Sequence, residues 1–301
     1  MDRWADRVAL VTGASVGIGA AIAKHLVKNG MRVVGCSRSI EKIELMKSEL
    51  LSSKAKGQLI PYKCDLRNEQ EILDMFQMIK TDLGGVDVCI NNAGLSHCSP
   101  LLSGETKDWR EMLDVNVIAL AICTREAVKQ MRENGTDDGH VFLINSMSGH
   151  RVIPSANGHF YTGTKFCVSA LREGVRNELR EIKSRIRVTS ISPGLVETEF
   201  ASRMNKDEEK GKAIYSSIQC LQADDIADAV VYALSAPPHV QRKKGTENGY
   251  IWRKMNSTIW HDQIKLIVNV QLCILIHDKE KVMTGTQADR KQCTTSPYRE
   301  Q

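Results

Sequence analysis

The sequence predicts a doubly wound α/β fold, a parallel sheet covered by helices on both faces. Three observations carry this. Apolar runs of strand length alternate with segments of helical period along the first 240 residues. The strand runs are almost continuously apolar, as strands buried on both faces must be. No Pro/Ser-rich linker and no internal repeat interrupts residues 1–240, so they are expected to form one domain.

The elements follow in order. A first strand is read at 8–12. The helix at 17–29 sets Ile18, Ala21, Ile22, His25 and Leu26 near one face, and Gly30 ends it. A strand at 32–36 leads to a helix at 40–51. A strand at 59–64 leads to a helix at 69–83, and a fourth strand spans 86–91. A long helical pattern covers 107–133. A strand at 140–146, a helix at 161–183, a strand at 187–192 and a helix at 224–234 complete the series. Right-handed crossovers between these strands build a doubly wound sheet.

Composition limits the function classes. With 42% hydrophobic and 26% charged residues among 301, the chain can bury a sizeable core. The net charge of +5 sits entirely in the tail: residues 1–240 hold 30 basic and 30 acidic side chains, the last 61 hold 11 and 6. A neutral body argues against nucleic-acid binding, and Arg242-Lys243-Lys244 reads as a solvated segment. The nine cysteines form no CxxC pair and no Cys/His cluster with metal spacing, so reduced thiols and no metal are expected. No apolar leader precedes the first strand, and 264–276 is too short and too polar to span a bilayer. A cytoplasmic protein without a transmembrane segment is the expectation. Residues 242–301 read as an atypical basic tail, partly disordered, distinct from a domain over 1–241; within it, 266–270 has the character of an edge strand.

Two motifs carry chemistry. The first strand runs into Thr12-Gly13-Ala14-Ser15-Val16-Gly17-Ile18-Gly19, inside which a helix opens. Glycines there permit a tight turn and let the backbone approach a pyrophosphate, and the helix N-terminus adds free N–H groups. Alone the glycines signify little; between a strand and a helix they point to a dinucleotide. The second strand ends Gly35-Cys36-Ser37-Arg38-Ser39, with no acid to hold a ribose diol. Arg38 suits a 2′-phosphate, hence NADP(H); an ordinary exposed arginine at a strand end is the alternative. The second motif is Tyr161-Thr162-Gly163-Thr164-Lys165. Four residues apart on a helix, the phenol and the ammonium share a face. The ammonium is expected to lower the phenol's pKa, so that Tyr161 moves a proton while hydride moves at carbon.

With these motifs, Asp65, Asn91-Asn92-Ala93-Gly94, Asn116, Ser146 and Pro193-Gly194 through Thr198 fall in one order over residues 5–240. In that order the chain resembles the short-chain dehydrogenase/reductase family, whose fold is of the Rossmann type. The resemblance implies a catalytic set of Ser146, Tyr161, Lys165 and Asn116. Ser146 would bond the reacting oxygen, Lys165 would hold the nicotinamide ribose, and Asn116 would anchor a water leading to Lys165. It also implies that Gly13, Ser15, Val16, Gly17, Ile18 and Gly19 cradle the cofactor and that Arg38 and Ser39 read its phosphate. Asp65 and Leu66 would touch adenine, Asn92, Ala93 and Gly94 the adenosine ribose, and Pro193, Gly194, Val196 and Thr198 the nicotinamide. The family's serine usually lies thirteen positions before the tyrosine, where this chain has Ser148. Ser-x-x-Gly at Ser146 to Gly149 fits the family's local pattern better and implies a two-residue insertion within 151–159, with Ser148 as the alternative.

The segment 195–221, with Phe200, Met204, Ile214, Tyr215 and Ile218, is read either as a lipophilic substrate wall or as core packing. The resemblance implies a small lipophilic alcohol or carbonyl, a farnesol-like isoprenoid or a keto-steroid, and a homo-oligomer formed through the helices at 107–133 and 161–183. Leu113, Val117 and Leu120 could equally face the core. His97, His150 and His159 read as ordinary loop histidines, and no nucleophile-elbow turn supports a hydrolase. A cofactor-binding protein that turns over little, because of its altered C-terminus, is the competing function.

Overall fold

The computed structural model describes residues 1–237 other than 206 and 217–218. The expected tail over 242–301 lies outside the described residues, as does the edge strand read at 266–270.

Six strands form one parallel sheet. They are β1 (Val8–Thr12), β2 (Arg32–Ser37), β3 (Gln58–Lys63), β4 (Val88–Asn91), β5 (His140–Ile144) and β6 (Arg187–Ile191), ordered β3-β2-β1-β4-β5-β6. Ala9 and Val11 of β1 pair with Val33 and Gly35 on one side and with Val88 and Ile90 on the other. The order reverses between β1 and β4, and in such sheets a ligand crevice opens at the carboxyl ends of the strands flanking that switch.

Both faces are covered, as the continuous apolar strands required. One core joins the sheet to α1 (Gly17–Lys28), α2 (Ile40–Ser52) and α9 (Ala223–Ser235) through Ile22, Leu26, Ile43, Ile226 and Val230. The other joins it to α3 (Glu69–Leu83), α5 (Leu120–Glu133) and α6 (His159–Glu181) through Ile72, Phe76, Cys123, Ala127 and Val168. Helix ends follow local chemistry. Asn68 caps α3 by accepting from Gln70 N–H, and Gly84 closes it in the left-handed region.

Three sequence expectations need correction, and one segment gains structure that the sequence reading left unassigned. The pattern at 107–133 is not one helix. It is α4 (Thr106–Leu113), a π-helical turn (Asp114–Ala119) and α5, because the backbone widens around Asn116, whose side chain bonds elsewhere. The fourth strand starts at Val88, since Val86 N–H donates to the Gln130 side chain instead of a strand neighbour. The fifth ends at Ile144, where Asn145 and Ser146 turn into a 3₁₀ turn (Met147–Gly149). The segment after β6 holds two short helices, α7 (Phe200–Asn205) and α8 (Glu208–Ser216).

At the opposite end of the sheet the N-terminal turn holds the last described helix. Trp4 is fully buried and donates its indole N–H to Leu234 O at 2.8 Å. Arg3 donates to the Leu234 and Ala236 carbonyls at 2.8 and 2.7 Å, satisfying groups that a helix end leaves open. The Arg3 and Arg7 guanidinia lie 4.9 and 4.4 Å from the centre of the Trp4 ring. Trp4→Ala is expected to destabilise the fold by about 3–5 kcal/mol, and Trp4→Phe by about 1 kcal/mol through the lost hydrogen bond. Urea unfolding measures both, and an Ala variant within 1 kcal/mol of wild type would show that this turn does not hold α9.

Candidate active site

The cofactor end is built around backbone approaches that side chains would block. Gly13 (φ +66°) and Gly17 (φ +55°) adopt the left-handed region. A Cβ on Gly19 would overlap the Gly13 carbonyl and the Asn92 amide, and one on Gly17 would press Thr198 Cβ at 3.2 Å. Asn92 Nδ2 donates to Thr12 O at 2.9 Å, and Thr12 Oγ1 accepts from Asn92 N and Ala93 N at 3.0 Å each. Thr12, not among the expected contacts, is thus the post on which the Asn92–Gly94 segment hangs. Helix α1 opens at Val16 with no side-chain cap and no acid in its first turn. Its free N–H groups and partial positive charge suit a pyrophosphate, so the residues present fit a dinucleotide.

The adenosine end is charged. Arg38 stands 59% exposed beyond β2, and Ser39 is the residue before α2. Asp65 accepts from Arg67 through Nε–Oδ1 at 3.0 Å and Nη2–Oδ2 at 2.5 Å. Those bonds hold its carboxyl below the usual range.

The chemical end gathers residues from four elements. Tyr161 and Lys165 lie one turn apart on α6, with Lys165 Nζ 5.7 Å from the phenol ring centre. Ser146 is hydrogen-bonded to the Tyr161 side chain, and its Oγ also accepts from Ser148 N at 3.1 Å. Lys165 is buried and donates to Ile144 O at 2.9 Å. Asn116, in the π turn, accepts from Leu95 N at 2.9 Å and donates to Thr164 Oγ1 at 3.1 Å. A Cβ on Gly94 would lie 3.4 Å from Asn116 Oδ1 and 3.7 Å from Lys165 Nζ, so the bare glycine leaves a space shared by both. Pro193 O accepts from Met147 N at 3.0 Å, and a Cβ on Gly194 would stand 3.2 Å from Met147 Sδ. Val196 pairs with Leu221, which brings 194–198 over the Gly-rich turn.

The electrostatics differ from the sequence expectation. The Tyr161 phenol is not lowered but pushed up to about 12, because burial outweighs its bond from Ser146. Lys165 is lowered to about 8 by burial. At 5.7 Å from the ring centre, the ammonium does not overcome the desolvation of the phenol.

The wall and the histidines are also placed. Phe200 packs a tilted ring on Tyr161, centres 5.7 Å apart, and Tyr215 OH accepts from Ala201 N at 3.2 Å. Met204 is partly buried, and the side chains of Ile214 and Ile218 lie outside the described residues. Val117 and Leu120 are core residues, whereas Leu113 is 40% exposed. His97 bonds Glu111 at 2.8 Å and His150 bonds Ser192 at 2.8 Å. The carboxylate partner of His97 was not foreseen, because it comes from another element 14 positions on.

Known proteins align with this site. A family model for short chain dehydrogenase matches residues 7–209. The chicken dehydrogenase/reductase SDR family member 11 is 62% identical over 242 residues, 80% of this chain and 95% of the relative. The human protein of that name is 55% identical over 242 residues, 80% of this chain and 93% of the relative. The farnesol dehydrogenase of Aedes aegypti is 44% identical, covering 80% of this chain and 95% of its own. Among solved structures, the closed form of serine dehydrogenase complexed with NADP+ superimposes with a TM-score of 0.70 at 29% identity, over 81% of this chain and 99% of that one. With its parallel sheet, its Gly-rich turn and its Ser146–Tyr161–Lys165 cluster, this chain belongs to the short-chain dehydrogenase/reductase family.

Proposed function

We propose that this oxidoreductase uses NADP(H) to interconvert a lipophilic alcohol and its carbonyl compound, with Tyr161 as the proton-transfer group. The observation that carries the reading is the Ser146–Tyr161 contact beside a buried Lys165. The nicotinamide, when bound, supplies or accepts a hydride. The chain's residues do the rest. Ser146 orients the reacting oxygen by a hydrogen bond. Tyr161, which burial holds in its protonated form, gives its proton to that oxygen in the reductive direction and becomes the phenolate; in the oxidative direction the phenolate accepts the alcohol's proton. Lys165 offsets the charge of the phenolate as it forms. Asn116 and Lys165 face the space left by Gly94, which suits a water carrying the proton onward. Phe200 shields the phenol.

Arg38 favours NADP(H) over NAD(H), and solved structures similar to this chain are complexes with NADP. The lipophilic substrate rests on Phe200, Met204 and Tyr215 and on the name of the mosquito relative. The exposed Ile118 of the π turn and Phe166 of α6, at 52% and 42%, suit a homo-oligomer through the helical segment that ends in α5 and through α6. Free thiols at the seven described cysteines fit the cytoplasm.

Three outcomes test this reading. Tyr161→Phe keeps the ring and removes the proton, so turnover should drop at least ~10²-fold with cofactor binding kept. Steady-state rates near wild type would refute the acid/base role. Arg38→Asp removes the phosphate's partner and supplies an acid for the ribose, so kcat/KM for NADPH relative to NADH should fall; an unchanged ratio would mean that Arg38 does not read the phosphate. Lys165 is held at about 8, below its ordinary 10.5, so the unfolded chain binds that proton more tightly. Stability from this group therefore rises with pH between those two values. From pH 7.5 to 9.5 the wild type should gain about 2 kcal/mol relative to Lys165→Met. Denaturant unfolding at the two pH values measures it, and an equal response of both proteins would place Lys165 outside the buried, depressed state.

A further inference from the structure

One carboxylate at the adenosine end belongs to no role described so far. Glu111 lies on the last turn of α4 and is 25% exposed. Its Oε1 accepts from Arg67 Nη1 at 3.1 Å and stands 3.9 Å from Arg38 Nη1. Its Oε2 bonds His97 at 2.8 Å. Arg67 is also held by Asp65, and Asp114 contributes to the field around it. Glu111 therefore joins the side chain that would read a 2′-phosphate to the pair Arg67–Asp65, whose Asp65 is expected to touch the adenine. It does so from a helix that carries no other expected cofactor contact.

We propose that Glu111 is a specificity-determining residue, an internal counter-anion that competes with the cofactor's 2′-phosphate for Arg38 and so limits the preference for NADP(H) over NAD(H). The inference rests on the NADP(H) reading above. Two physical arguments support it. Arg38 is mostly exposed and its contact with Glu111 is a long one, so the pair orients Arg38 weakly while the carboxylate still neutralises part of its charge. A phosphate bonded to Arg38 brings up to two negative charges to the other side of the same guanidinium. Repulsion from Glu111 then acts on the phosphorylated ligand and leaves the ligand lacking that phosphate nearly untouched. Removing the charge should tighten the first and not the second.

Glu111→Gln keeps the shape and removes the charge. The probes are adenosine 2′,5′-bisphosphate and adenosine 5′-diphosphate, titrated calorimetrically into the full-length wild type and the variants. In Glu111→Gln the affinity for the 2′,5′-bisphosphate should rise about three- to tenfold, with the gain shrinking at high salt, while that for the diphosphate changes less than twofold. Glu111→Asp keeps the charge and should show no such gain. Equal tightening of both probes, weaker binding of the 2′,5′-bisphosphate, or a matching gain in Glu111→Asp would each overturn the inference. The NADP(H) reading fails separately: wild type and Arg38→Ala would then bind the two probes with the same lack of preference. If wild type prefers the 2′-phosphate, Arg38→Ala loses that preference and Glu111→Gln leaves it unchanged, the NADP(H) reading stands and the role of Glu111 falls. Thermal melts of the glutamine and aspartate variants show whether each is folded before titration.

Discussion

The arrangement depends on one close approach. Where β1 gives way to α1, the chain must pass within hydrogen-bond reach of the segment leaving β4, and the Asn92 amide and Thr12 hydroxyl fasten the two together. That contact leaves no room for a Cβ at Gly19 and little at Gly13. It fixes where the crevice at the reversal of strand order opens. It also sets the start of α1, whose uncapped N–H groups face that crevice. On the far side, Gly94 continues the same segment to Asn116 and Lys165. The Gly-rich turn and the Tyr161–Lys165 pair thus border one continuous edge, placed by a sheet whose central strands are buried on both faces.

The chemical groups sit in an environment that opposes their charges. Burial raises Tyr161 and lowers Lys165, each toward its neutral form. A phenol held as an acid can protonate a developing alkoxide, and an ammonium that is costly to bury has most to gain when a phenolate forms beside it. The π turn at Asp114–Ala119 belongs to the same design. Helix geometry is given up locally, and Asn116 gains bonds to the Leu95 backbone and to Thr164 on α6.

How much of this the sequence discloses depends on the range of the signal. Strands β1, β2, β4 and β5 were legible because each is mostly a local apolar run, β3 and β6 because they recur at the spacing of the series, and β1 and α3 were read to their final residues. The Gly-rich turn and the Tyr161/Lys165 pair were legible because their spacing is local. The π turn was not, since its cause is a side chain bonding 21 and 48 positions away. The two helices after β6 were hidden because α7 has only six residues and lacks a clear periodic face. The direction of the Tyr161 shift was misread because a motif gives the distance between two groups along a helix but not how much water each has lost. Glu111 was missed for a related reason: Arg38, Arg67 and His97 come from three loops, and the sequence does not show that they converge.

A division of labour follows from where each group is anchored. The residues assigned to cofactor and proton transfer stand on strand ends and long helices, held by backbone bonds such as Lys165 to Ile144 O and Met147 N to Pro193 O. The segment after β6 is built differently. It consists of short helices joined to the body by the Val196–Leu221 bridge, by Thr198 over Gly17 and by Phe200 on Tyr161. The 3₁₀ turn at Ala156–Gly158 likewise follows a strongly exposed Val152. Few buried contacts hold such elements, so their sequence and shape can change without disturbing the sheet. The Gly-rich turn and the Ser146–Tyr161–Lys165 cluster are therefore anchored in the most strongly packed part of the chain, and the segment after β6 is the part freest to vary.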